Sequence, residues 1–146
     1  MTVSRRALCV AYAIVAVLAL IGTGGNNLPY FHLGFLGGNA AFWLDTLANP
    51  ASRSITVDLF CLFLAVFIWM VLEARRLRMR GVWLYLVFGI LIAVSVTVPI
   101  FLINRERAMA AKPSDAAGAI HRADVAGLVA VALAVVAYAG ITLVRG

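Results

Sequence analysis

The chain has 146 residues, of which 64% are hydrophobic and 12% charged, where soluble domains run near 45 to 50% apolar and about 25% charged. That balance, with a mean hydropathy of +1.03 spread over several runs, excludes a soluble enzyme, a disulfide-rich secreted scaffold and a disordered tail. The net charge of +6 gathers at the ends of the apolar runs, so it reads as a topology signal and not as a nucleic-acid surface.

The first run, residues 7–21, follows Arg5 and Arg6. A basic start before an apolar stretch resembles a secretory signal, but no small-x-small cleavage site follows, so an uncleaved first helix is expected. Residues 22–53 then combine half of the glycines with Tyr30, Phe31, Phe35, Phe42 and Trp43, and carry only Asp45 and Arg53 as charges. They predict an outer glycine- and aromatic-rich loop between helices 1 and 2. Asn39 would cap a short helix over residues 40–48, stopped ahead of Pro50. Such a segment would either fold over the bundle as a lid or form an interfacial belt with no ligand.

The second run covers residues 54–73 and is interrupted early by Asp58; its uncharged part, residues 59–72, is too short to cross alone. The third, residues 81–103 with Pro99 near its end, and the fourth, residues 125–144, both predict spans. Ala126, Ala130 and Ala134 give the fourth a small-residue stripe for helix packing. The expected fold is therefore all-α, an integral membrane four-helix bundle forming a single domain over residues 1–146. Arg5, Arg6, Arg75, Arg76, Arg78, Arg80 and Arg145 fall on one side, against Arg53, Arg105, Arg107, Lys112 and Arg122 on the other. This bias predicts both termini in the cytoplasm.

Soluble catalytic and metal-binding motifs are missing, so no cofactor and no metal are expected. His32 and His121 lie on different predicted loops and are assigned no role. Cys9 and Cys61 fall at different membrane depths, too far apart to pair within one chain.

Asp58 is the strongest chemical signal. Counting up from Glu73 at 1.5 Å per residue puts it about 22 Å above the inner boundary, inside a hydrocarbon core of about 30 Å. There a carboxylate must face the bundle, be paired, or be protonated. The alternative is a first-turn residue reaching the interface with help from the helix dipole. Pro99 would free the carbonyl of Ser95 at nearly the same depth, so Asp58, Ser95 and Thr97 would share a layer, approached by Asp45, Asn49, Asn104 and Arg105. Phe42, Trp43, Phe60, Phe63, Trp69, Phe88 and Phe101 supply candidate walls. Glu73 and Arg76 read as a helix ion pair at a lipid-facing end. Arg105 would either snorkel or neutralise Asp58 or Asp45.

The succession Asn49-Pro50-Ala51, Asp58-Leu59-Phe60, Glu73-Ala74-Arg75-Arg76 and Pro99-Ile100-Phe101-Leu102, ending at Arg105, resembles a bacterial family of small four-helix membrane proteins of unknown function. In size and helix count the chain also resembles the small integral-membrane terpene cyclases of bacterial indole-sesquiterpenoid pathways. That second resemblance implies protonation of an epoxide or alkene in a prenyl chain by a carboxyl acid held in the membrane.

The functional expectation is a multi-pass enzyme of the bacterial cytoplasmic membrane that acts on a prenyl-type lipid by acid-initiated carbocation chemistry. Asp58 would be the general acid, assisted by Asp45. Phe42, Trp43, Phe60, Trp69, Phe101, Ser95, Asn49 and Arg105 would bind substrate, with the rings stabilising a cation. The rival is a non-catalytic accessory or lipid-binding subunit of a membrane complex. The partners expected are an apolar lipid or prenyl substrate and membrane lipids, with no nucleic acid; homo-oligomerisation stays open.

Overall fold

The computed structural model describes residues 3–111 and 122–144. Among them every element is a helix: α1 (Val3–Asn27), a 3-10 segment (Leu28–Leu33), α2 (Gly34–Asp45), α3 (Pro50–Arg76), α4 (Val82–Leu91), α5 (Val94–Ala111) and α6 (Arg122–Val144). Among the described residues two stretches are long and apolar enough to cross a membrane, Arg5–Asp45 and α3. The expectations attached to Lys112, His121 and Arg145 lie outside the described residues.

The region expected to be a loop is helical. Gly22, Gly24 and Gly25 continue α1, where a side chain at any of them would meet nothing within 4 Å. Asn39 sits inside α2 and donates to the Phe35 carbonyl at 2.9 Å, so it caps no helix. The cap belongs instead to Asn49, whose Oδ1 accepts from the Ser52 N–H at 2.9 Å. Pro50 takes the first helical position, where its missing N–H costs no hydrogen bond. This start gives α3 27 residues, so Asp58 lies inside a long helix and not at the edge of a short one.

Contacts divide the chain into two compact units, one formed by Met1–Leu28 and Met70–Ala119, the other by Pro29–Trp69 and Ile120–Gly146. In the first unit α5 packs against both α1 and α4. Its core holds Ala16, Met70, Val71, Ala74, Val82, Leu86, Val96 and Phe101.

The third predicted span is not one helix. It breaks at Ile92 and Ala93, between α4 and α5. Tyr85 and Phe101 nevertheless meet edge to face at 5.4 Å, and Asn104 donates to the Tyr85 hydroxyl at 2.7 Å. On a straight helix Tyr85 and Phe101 would stand about 24 Å apart, so α4 and α5 fold back on one another as a hairpin. The β-branched residues Ile90, Ile92, Val94, Val96, Thr97 and Val98, which are weak helix formers, cluster around the break. Pro99 is buried inside α5, beyond the break.

In the second unit, the 3-10 segment lies close on α2. A Cβ at Gly38 would stand 2.8 Å from the Tyr30 carbonyl oxygen, which reserves that position for glycine. Ser52 donates to the Thr46 carbonyl at 2.7 Å and Arg53 to the Leu47 carbonyl at 3.3 Å, tying the turn between α2 and α3. Asp124, in the first turn of α6, is fully buried. Ala126, Ala130 and Ala134 are exposed along α6.

Candidate functional site

Polar chemistry in the first unit concentrates at one end. Glu73, in the last turn of α3, has a side chain only 8% exposed. It accepts from Arg76 Nε at 2.6 Å and Nη2 at 2.5 Å, a forked pair, and from Arg105 Nε at 2.6 Å. Arg105 also reaches Glu106 at 3.1 Å through Nη1, and Glu106, equally buried, pairs with Arg5 at 3.8 Å. Three helices, α1, α3 and α5, thus share one chain of charge. Two buried carboxylates carry it, and charge-assisted hydrogen bonds offset their desolvation.

Sequence reasoning caught the pairing of Glu73 with Arg76 and missed the rest. It assigned Arg105 and Arg107 to the side opposite Arg5, because an unbroken third span would carry them there. The hairpin returns them, so that Arg105 pairs with Glu73 and Glu106 within the first unit. No short motif marks this network, since its members are joined only by the fold.

The second unit holds an aromatic row. Tyr30 meets Phe42 at 5.8 Å, Phe42 meets Trp43 at 5.2 Å, and Trp43 meets Phe60 at 5.4 Å. At one end Tyr30 donates its hydroxyl to Asp45 Oδ2 at 2.6 Å. Phe42, Trp43, Phe60 and Asp45, all expected at the site, therefore do lie in one neighbourhood.

The other expected members are described each in its own unit. Asp58 is exposed on α3 and has no hydrogen-bond or ion-pair partner among the described residues. Asn49 is occupied as a helix cap. Trp69 is 40% exposed, and Phe101 is fully buried in the core of the first unit beside Tyr85. Ser95 is exposed, whereas Thr97 is buried and bonds back to the carbonyls of Ala93 and Val94 in its own helix. His32 Nδ1 makes a 2.7 Å hydrogen bond with the Pro29 carbonyl, and Cys9 and Cys61 are free thiols. No cluster of metal-ligating side chains occurs among the described residues.

A family model matches residues 11–107, from α1 through the Glu73, Arg105 and Glu106 network. The chain belongs to the family of proteins of unknown function DUF2834. The match agrees with the resemblance to an uncharacterised family and gives the terpene-cyclase resemblance no support. No curated protein and no solved structure matches the chain.

Proposed function

We propose that this DUF2834 chain is an integral membrane protein of the bacterial cytoplasmic membrane, and that it acts as a non-catalytic, lipid-binding accessory subunit. One observation carries the reading: only 6% of the most apolar window of Arg5–Asp45 is buried within the protein. A core helix of a soluble protein hides such a face. Here Val10, Ile14, Val15, Val17, Leu18 and Ile21 are all at least half exposed, and lipid is the solvent that makes that arrangement favourable.

In this reading α1, α3 and α6 cross the bilayer, while the α4 and α5 hairpin enters from the arginine end and returns to it. An apolar helix of α4's length, 10 residues, suits a re-entrant segment better than a span. Arg105 and Arg107 then join Arg5, Arg6, Arg75, Arg76, Arg78 and Arg80 on the cytoplasmic side, in keeping with the positive-inside preference. The arrangement differs from the four-span expectation, because the chain leaves α5 on the side from which it entered α4.

Acid catalysis on a prenyl lipid is the second reading, favoured by the hydrogen bond between Tyr30 and Asp45 beside the rings of Phe42, Trp43 and Phe60. Asp58 has no comparable setting. Alkaline carbonate extraction, together with incubation of the purified protein with prenyl and epoxyprenyl compounds, separates the readings. The accessory reading expects a carbonate-resistant protein that turns nothing over. Release by carbonate would remove its basis. Turnover that falls about 100-fold in Asp45→Asn or Asp58→Asn, the scale of general acid catalysis, would establish the enzyme reading instead.

A further inference from the structure

The charge network leaves a surplus. Among the described residues, Glu73 and Glu106 are the carboxylates at the arginine end of the first unit, and Arg76, Arg105 and Arg5 engage them. Arg6, Arg78, Arg80 and Arg107 are exposed around the same end with no carboxylate partner among the described residues. Each follows closely in sequence on a member of the network or on the turn that closes α3.

Arg78 supplies an independent sign. It adopts φ +54° two residues past the end of α3, where the Arg78 N–H bonds the Arg75 carbonyl at 3.2 Å and the Met79 N–H bonds the Ala74 carbonyl at 2.8 Å. This bond pattern is the Schellman termination, whose left-handed position is usually glycine because a Cβ there crowds the backbone. An arginine at that position accepts steric strain and adds a cation where cations already repel one another. Beneath the arginines the surface turns apolar at once, through Leu8, Leu72 and Leu84, which are 41%, 42% and 59% exposed. Cations bordering exposed aliphatic side chains match one chemistry, that of a phosphate headgroup attached to acyl chains.

We infer that the arginine end of the first unit binds the headgroup phosphates of anionic phospholipids through Arg6, Arg78, Arg80 and Arg107, with the acyl chains against Leu8, Leu72 and Leu84. The inference rests on the membrane reading and names the lipid class that it leaves open. A free phosphate would use the arginines without the leucines, and a nucleic acid would have no use for the apolar collar.

The test compares the detergent-purified full chain with a variant carrying Arg6→Gln, Arg78→Gly, Arg80→Gln and Arg107→Gln. Native mass spectrometry reads the lipid retained from an equal mixture of phosphatidylglycerol and phosphatidylcholine. Wild type should retain phosphatidylglycerol preferentially, and the variant should lose at least about fivefold of that preference, the effect of a single interfacial cation. Arg78→Gly alone should raise the melting temperature in detergent by about 3 °C while weakening the preference, a combination that a merely structural arginine would not give. Equal retention of both lipids by wild type, or an unchanged preference in the fourfold variant, would overturn the inference. So would full displacement of phosphatidylglycerol by excess inorganic phosphate, which would identify a simple anion site, or displacement by duplex DNA. Carbonate extraction of the same wild-type protein keeps the two levels apart: a resistant protein without lipid preference defeats this inference alone, and an extracted protein defeats the membrane reading beneath it.

Discussion

At the scale of single residues, Glu73 is where stability is concentrated. Its buried carboxylate serves two arginines, so Glu73→Gln takes the carboxylate from Arg76 and leaves Arg105 with Glu106, and should cost about 1.5–3 kcal/mol, the range for a hydrogen bond to a charged group. A melting curve in detergent measures it. Asp58→Asn, on an exposed and unpaired side chain, should stay within about 0.5 kcal/mol of wild type by the same measurement. Two neighbouring glycines give a sharper contrast. Gly38→Ala would drive a Cβ into the Tyr30 carbonyl oxygen at 2.8 Å, whereas a Cβ at Gly37 meets the Leu33 Cβ at an accommodating 3.4 Å. Gly38→Ala should therefore destabilise by about 1–3 kcal/mol, and Gly37→Ala should be neutral or stabilise by up to about 1 kcal/mol through helix propensity.

At the scale of elements, the α4 and α5 hairpin decides which residues meet. Tyr85→Phe removes the hydroxyl that accepts from Asn104 and should cost about 1 kcal/mol, while the ring stays packed on Phe101. Much of the helical content was legible in the sequence: α3 and α6 fall on their apolar runs, and the Glu73 and Arg76 pair follows from their spacing. The hairpin was not, because residues 81–103 contain no charge and no proline before Pro99, so hydropathy alone draws one span through them. That single step carried Arg105 and Arg107 to the end opposite Arg5, whereas Arg105 and Arg5 both pair with Glu106. The start of α3 was misread differently. Asn49 followed by Pro50 is an N-cap before a first-position proline, but attention to Pro50 as a helix stop concealed its use as a helix start. The aromatic row was found as a set of residue types, and its association with Tyr30 needed the fold.

At the scale of the whole molecule, the account is that apolar helices face lipid while one arginine-rich end stays at the cytoplasmic surface, with α4 and α5 leaving and returning on that side. Its most direct measurement uses single cysteines at Met79→Cys, ahead of the hairpin, and Ala111→Cys, behind it, in a background with Cys9→Ala and Cys61→Ala. Each variant is exposed to a membrane-impermeant maleimide in right-side-out and in inverted vesicles. The account predicts that both cysteines react in inverted vesicles and that both are protected in right-side-out ones. Labelling of Met79→Cys from one face and Ala111→Cys from the other would contradict it, because residues 81–103 would then cross the membrane.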